Sequence, residues 1–570
     1  MTTPTPGTPQ ADPALASIIQ GTDIVAAFSA AMEAAALAQT PPTDSVVQLY
    51  SNFWISKGFA NAYIETQVSF PRLKLPAATM KLKGDDPLAE VALACSTGTL
   101  VPFTYQLGAL RWAGWIEVAE DNLLEDGTQT IDCQIAGLLT MLDRILVYPE
   151  PELPLAIQPS DAIYIGPGIT CFKAMVAENS FRLQSNMYET INAVVSLDLD
   201  WRTWFDSWNL PNLEWSYVPM FVPPWDPNHD TSNWIFFHGR MDTCWKLMQQ
   251  QLKDNGWYAS VDVWLPGDPQ ISYEVLGETF TTDFEVASYV FNVRDYSGVS
   301  GPSASWSDGL GEEFIDLEGS ILGENVIGPV QAYVPPGSDI VIAPAYGVNY
   351  TPPWVIFNAD VDDNGLISAK VAHHMAQSWS VTLGGQSPAW LSAALNATME
   401  YAVDMLTILI GVTGIPDDLL NGILDGTFLA FQLFIAYTVQ QAMGPYGPPE
   451  KFFPTQSTYD IDMLFAAIDA LWTIRGYPSA QFSFINGQPF AVGREIWPAV
   501  QQSLIRRGIV YTDYTDDIVI VDNNDGFAKV TVQVGDGQRE DPPGLIFQRR
   551  LVGLEEDVNL LLLAPPGGTG

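Results

Sequence analysis

The feature that most constrains this chain is a change of rhythm near Val68. From there to Pro149, short apolar–polar alternations at Met80–Leu82, Gly114–Val118 and Thr130–Ile135 are separated by the turn-forming runs Gly84-Asp85-Asp86-Pro87 and Glu125-Asp126-Gly127. A period of two sends successive side chains to opposite faces of a strand, so a small antiparallel sheet or barrel is expected here. The rhythm returns near the other end at Ile509–Tyr511, Ile518–Val521 and Lys529–Val534. There the turn Asn523-Asn524-Asp525-Gly526 predicts a hairpin.

Helical signals lie elsewhere. A Thr- and Pro-rich arm up to Asp12 precedes an alanine-rich run, Ala14 to Ala38, which has helical spacing and stops at Pro41-Pro42. Gly166-Pro167-Gly168 reads as a loop leading into an amphipathic helix marked by Ile169, Phe172, Met175, Val176, Phe181 and Leu183. A second helix, Met241 to Asn255, ends at Gly256 and runs into a strand at Tyr258–Leu265. Strand signals resume at Trp354–Phe357 and Ser378–Leu383, and Pro388 opens a mostly helical block that reaches Gly444.

The chain has 570 residues, and a domain takes about 150. The expected architecture is α+β and multidomain, with small antiparallel β-barrels near both ends and α/β and helical domains between. Its expected parts are a disordered arm and helix (1–66), a β-barrel (67–155), an α/β domain (156–283) and a loop-rich β segment (284–390). An apolar helical hairpin (391–450) and a C-terminal helix with a second barrel (451–562) complete it.

Charge narrows the function. Against 66 acidic residues stand 24 basic ones, a formal charge of -42, which repels phosphate and argues against tight nucleic-acid binding. Such acidity either maintains solubility or suits a lumen that DNA passes without sticking. Cys95, Cys133, Cys171 and Cys244 are far apart and form no CxxC pair, so buried free thiols are expected. Met1 to Pro13 lacks a basic segment followed by an apolar one, so no signal peptide is expected and assembly in a reducing cytoplasm is.

Motifs for chemistry are sparse. His229, His238, His373 and His374 fall in no metal-ligand spacing, and neighbours on a strand, such as the last two, face opposite ways. There is no GxSxG elbow or GxxxxGK[ST] loop. Asp360-Val361-Asp362-Asp363-Asn364-Gly365 opens like a calcium loop, but its twelfth position is Val371 instead of a bidentate Glu, which favours a plain turn. No catalytic residue, metal or cofactor is expected.

Two segments are candidates for binding. Tryptophans crowd between Trp201 and Trp245, and Trp204, Trp208 and Trp225 are candidates for partner or glycan contact, with burial in a core or subunit interface the favoured alternative. From Met405 to Val439 two apolar runs flank Asp417 and Asp418, each shorter than the roughly 18 to 20 residues that span a bilayer. Leu406, Leu409, Ile410, Phe428, Phe431 and Phe434 are therefore candidates for membrane or inter-subunit contact. A helical pair buried in a trimer core is the favoured form, and a hairpin that inserts into a membrane is the other.

Several segments carry a resemblance. They are Trp112-Ala113-Gly114-Trp115, Leu142-Asp143-Arg144-Ile145-Leu146-Val147-Tyr148-Pro149 and Ile165-Gly166-Pro167-Gly168. Further on come Gly239-Arg240-Met241-Asp242, Asp254-Asn255-Gly256, Trp264-Leu265-Pro266-Gly267-Asp268, and the run from Val381-Thr382-Leu383-Gly384-Gly385-Gln386 through Ser387-Pro388-Ala389-Trp390-Leu391. In this order, over about residues 68 to 560, the chain resembles the minor tail proteins of actinobacteriophages, the siphophage tail-hub or baseplate-hub-like family. It departs from that pattern in the long Gly- and Ser-rich loops around Ser297 to Gly323.

The resemblance implies a non-enzymatic tail-tip hub, usually a trimer, with β-barrel domains stacked below the tail tube. It implies partners among distal tail, tape-measure and other minor tail proteins, DNA passing through without specific binding, and a role in gating DNA ejection. Contact with the host membrane is a further expectation, from the apolar hairpin. The expected location is the virion's tail tip, after assembly in the host cytoplasm. A carbohydrate-binding adhesin of the tail tip and a tail-associated cell-wall hydrolase are the alternatives.

Overall fold

The computed structural model describes residues 45–151, 158–184, 218–303, 348–384, 431–454 and 476–535, apart from 276–277, 363, 485, 488–489 and 525–527. It also describes single positions such as 153, 305, 308, 470, 473–474, 549, 553–554 and 557. The alanine-rich run from Ala14 to Ala38 lies outside the described residues.

The N-terminal part supplies seven strands: β1 (Ser45–Tyr50), β2 (Ser56–Phe59), β3 (Glu65–Pro71), β4 (Ala77–Lys83), β5 (Pro102–Leu107), β6 (Leu110–Leu123) and β7 (Gln129–Gly137). β1 and β2 fall within the expected arm-and-helix segment and correct that reading. The middle holds β8 (Ala162–Pro167), α1 (Gly168–Gln184), β9 (Trp234–Gly239), α2 (Cys244–Asn255), β10 (Trp257–Trp264) and β11 (Ser288–Asp295). The remainder gives β12 (Ile356–Asn358), β13 (Leu366–His374), β14 (Ser380–Gly384), β15 (Phe431–Ile435), β16 (Glu450–Pro454), β17 (Tyr477–Phe484), β18 (Gln501–Arg506), β19 (Ile509–Asp522) and β20 (Lys529–Val534).

The expected barrels at the two ends do not close among the described residues. Their strands instead join one 13-stranded sheet in the order β13-β17-β20-β19-β3-β4-β7-β6-β5-β1-β2, with β18 and β12 branching from β19. The junction is antiparallel pairing of β3 with β19, which sets Phe70 opposite Ile518 and Val68 opposite Ile520. All four side chains enter one core with Met80, Leu82, Phe103 and Trp112 from the N-terminal strands and Phe357, Phe482, Phe484 and Val532 from the C-terminal ones. Fully burying one such side chain contributes about 1.5–3 kcal/mol relative to leaving it in water. That shared core explains why the two ends merge.

Alternation sets each strand's facing. On β4, Ala78, Met80 and Leu82 are buried while Ala77, Thr79 and Lys83 are exposed. β6 obeys the rule through Ile116, where a bulge in its pairing with β7 breaks the register, and beyond it the hairpin runs out with Leu123 and Leu124 exposed.

A second core belongs to the α/β part, where Phe172, Met175 and Val176 of α1 and Met248 and Leu252 of α2 pack with Trp257, Phe291 and Leu142. Thr243 caps α2 through its hydroxyl, which accepts from the Lys246 amide at 3.3 Å, and Gly256 ends it at φ 67°. Gly166 and Pro167, expected in a loop, instead end strand β8, because they pair with Ile235 and Trp234 of β9.

Candidate interaction surfaces

Three of the resemblance-bearing glycines, Gly114, Gly168 and Gly256, stand where a side chain does not fit. A Cβ at Gly114 would overlap the Ala136 carbonyl and crowd the Trp112 ring, whose indole N–H donates to the Ser69 carbonyl at 2.9 Å. A Cβ at Gly168 would overlap the Trp257 ring, and one at Gly256 the Tyr514 hydroxyl. These motifs fix close approaches between layers.

The joint between the large sheet and the α/β part is polar and specific. Arg111 on β6 reaches Asp268 with both nitrogens, Nη1 to Oδ1 at 3.2 Å and Nη2 to Oδ2 at 2.7 Å, and also donates to the Val263 carbonyl at 2.7 Å. Asp268 accepts the Leu265 amide as well, so the pair also holds the turn after β10. Nearby, the Trp54 indole donates to the Tyr289 hydroxyl at 3.4 Å, and the Arg72 guanidinium lies 3.6 Å from the Tyr514 ring centre. The C-terminal positions are held to the same part: Arg549 reaches Asp254 at 2.8 Å, and the fully buried Asp557 meets His238 Nδ1 at 3.0 Å.

The other histidines and the acidic turn also have local partners. His374 stacks on Tyr477 with ring centres 4.4 Å apart and meets Ser479 Oγ at 3.2 Å, while His373 lies edge-on to Tyr511. Asp360 accepts the Gly508 amide at 2.9 Å, and the backbone N–H groups of Arg507 and Gly508 hold its carboxyl below the usual range. Asn364 accepts from the Leu366 amide at 3.0 Å. The segment therefore braces the β18–β19 turn, and among the described residues no group of three or more His, Cys, Asp or Glu side chains is placed to hold a metal.

Of the tryptophan candidates, Trp204 and Trp208 lie outside the described residues. Trp225 is half-buried, with the Lys173 ammonium 5.7 Å from its ring centre. Burial lowers the Lys173 pKa, and Asp230 opposes that shift. Of the apolar candidates, Leu406, Leu409, Ile410 and Phe428 also lie outside the described residues. Phe431 begins strand β15, so residues 431–435 correct the expected helical arm. The reason is pairing: β15 runs antiparallel to β14, and β14 runs parallel to β16. Phe434 packs with the buried Val381, Leu383, Ala470 and Ile474.

Of the exposed apolar groups, sequence marks only Leu433 and Tyr437, which fall in the Met405–Val439 segment. Phe53, Ile55 and Phe59 line the β1–β2 end of the large sheet, Leu123 and Leu124 the β6–β7 tip, and Leu433, Tyr437 and Tyr446 the small sheet and its following turn. Isolated apolar residues in a sequence do not declare their exposure; only the fold does.

The family model described as Siphovirus ReqiPepy6 Gp37-like protein matches residues 46–536. No curated protein matches. Among solved structures the chain is similar to a tail protein from Neisseria meningitidis MC58, at 8% identity and TM-score 0.35 over 86% of this chain and 96% of that one. It is similar too to the 43 kDa tail protein of prophage MuSo2 from Shewanella oneidensis, at 8% identity and TM-score 0.35 over 88% and 99%. Prophage tail protein gp18 from Listeria monocytogenes EGD-e follows at 7% identity and TM-score 0.32 over 90% and 100%.

Proposed function

The chain belongs to the Siphovirus ReqiPepy6 Gp37-like protein family, and on that premise we propose that it is a structural, non-catalytic protein of the phage tail. Its place in this reading is the tail-tip hub, where it connects the tail tube to host-contacting proteins and takes part in gating DNA ejection. The observation that carries the reading is the family match itself, which runs from the first strand of the large sheet to just beyond its last. The architecture suits such work, since both ends of the chain enter one sheet and the Arg111–Asp268 joint ties that sheet to the α/β part. A formal charge of -42 suits a wall that DNA passes. Distal tail, tape-measure and other minor tail proteins are the proposed neighbours, and a homotrimer is the proposed form.

Two measurements test this. Mass spectrometry and antibody labelling of purified virions should find the protein at the tail tip, and its absence from virions would end the structural reading. The mass and negative-stain image of the purified protein should show a trimeric ring with a central channel. A chain that is monomeric both alone and in extracted tails would remove the hub.

A further inference from the structure

The two halves of the large sheet repeat one pattern. β3-β4-β7-β6-β5 are consecutive neighbours in the N-terminal half, and β13-β17-β20-β19-β18 are consecutive neighbours in the C-terminal half. β6 and β19 are each 14 residues long. β5 sets Pro102 opposite Trp115 of β6, and β18 sets Gln501 opposite Tyr514 of β19. A bulge follows between Ile116 and Val118 in one and between Thr515 and Asp517 in the other. Beyond it Val118 faces Gln134, as Asp517 faces Gln533. The connections that follow carry Asp126-Gly127 and Asp525-Gly526 at matching positions in the sequence.

One contact breaks the equivalence. The outer half of β19 has a strand on each side, β20 from its own repeat and β3 from the other. The matching half of β6, Val118 to Leu123, pairs among the described residues only with β7. The counterpart of β3 is β13, which pairs among the described residues only with β17. The two edges therefore lack the contact that their equivalents make, and both hold apolar side chains in water, with Leu123 70% exposed and Ile367 56%. Open edges of this length are templates for a strand from another chain.

The existing contact gives the register of the missing one. Val68 faces Ala78 of β4, which faces Ile135; Ala369 faces Phe482 of β17, which faces Val534. Val68 thus corresponds to Ala369, Ser69 to Lys370, and Val519 to Glu120. Within the chain Val519 lies opposite Ser69. The equivalent pairing sets Glu120 opposite Lys370, Ala119 opposite Val371 and Asn122 opposite Ser368. Lys370 is the one Lys or Arg on β13, which has no Asp or Glu. In its own chain Glu120 stands opposite Asp132, a like charge. The register of the inner contact, chosen without regard to charge, brings an acid to the lysine.

We propose that β13 of one copy adds antiparallel to residues 118–123 of β6 in a second copy, with Lys370 against Glu120. The two edges differ, so the contact is head to tail, and its repetition closes a ring. This inference rests on the reading of the protein as a ring of copies and names the surface that joins them.

Charge reversal and cross-linking of the full chain test it. Glu120→Lys and Lys370→Glu should each weaken association, read by sedimentation equilibrium, about tenfold or more, and the two together should restore it. Glu120→Lys faces Asp132 in its own chain, so its melting curve should not fall. In a Cys95→Ser background, Glu120→Cys with Lys370→Cys should give covalent oligomers on oxidation by copper phenanthroline, since opposed strand positions bring Cα atoms to about 4.5–5.5 Å. Either new cysteine alone should give none. Oligomers that ignore both reversals and form no cross-link would overturn the contact and leave the ring standing. A chain monomeric both alone and in extracted tails would overturn the contact and the ring together.

Discussion

The Ser69 hydroxyl donates to the Asp517 carboxylate at 2.9 Å across 448 positions of sequence. The two residues lie on β3 and β19, the strands that join the chain's ends into one sheet. Burial pushes the Asp517 carboxyl above its ordinary 3.8, with the Ser69 hydrogen bond opposing. An acid with a raised folded pKa holds its proton more tightly in the folded state. Its support for folding is present below 3.8 and is lost as pH rises through the folded value. Asp517→Asn keeps an acceptor for Ser69 and removes the charge. It should stabilise the neutral-pH protein by up to about 1 kcal/mol and flatten the loss of stability above pH 3.8. Urea denaturation at a series of pH values would show this; identical pH profiles would refute it.

The Arg111–Asp268 joint makes a different prediction. Both side chains are about three-quarters buried and bonded in two places, and Arg111 also holds the Val263 carbonyl. Arg111→Met should cost about 1.5–3 kcal/mol, because it removes charge-assisted bonds and leaves Asp268 without its bidentate partner. Double-mutant analysis with Asp268→Asn should show strong coupling, and additive losses would mean the joint is not built on this pair.

How much of this was legible in the sequence follows from what a single chain displays. Period two at Thr130–Ile135 placed a strand, and Gly256 placed the end of α2, because both signals are local. The partner of a strand is not local, and nothing in Glu65–Pro71 names Ile509–Asp522 as its neighbour, so one joined sheet was read as two barrels. Residues 431–435 failed for another reason. A short, almost wholly apolar run has no period to separate helix from strand, and pairing with β14 decided it. The expectation of buried thiols rested on residue type and spacing, and three of the four cysteines are buried.

Those thiols give a simple chemical test. Burial pushes Cys133, Cys171 and Cys244 up to about 12, so almost none is thiolate at neutral pH, while Cys95 is only half-buried. A chromogenic thiol reagent should titrate Cys95 quickly in the native protein and all four cysteines only in denaturant. Rapid reaction of more than one would show that the cores open.

Gly168 tests the packing that the Ile165-Gly166-Pro167-Gly168 segment serves. It is the first residue of α1, and a Cβ there would overlap the outer edge of the Trp257 ring and approach the Asn233 carbonyl at 3.2 Å. Trp257 is itself 1% exposed and meets Phe172 edge-on at 5.9 Å, so its ring has little room to withdraw. Gly168→Ala should therefore cost about 1–3 kcal/mol through overpacking, although alanine is the better helix former. Trp257→Phe removes the atoms in conflict and alone should cost stability by leaving a cavity. In its presence the alanine should cost little more, so the double variant should be more stable than the sum of the two losses predicts. If the two losses simply add, the glycine is retained for some reason other than room for the indole.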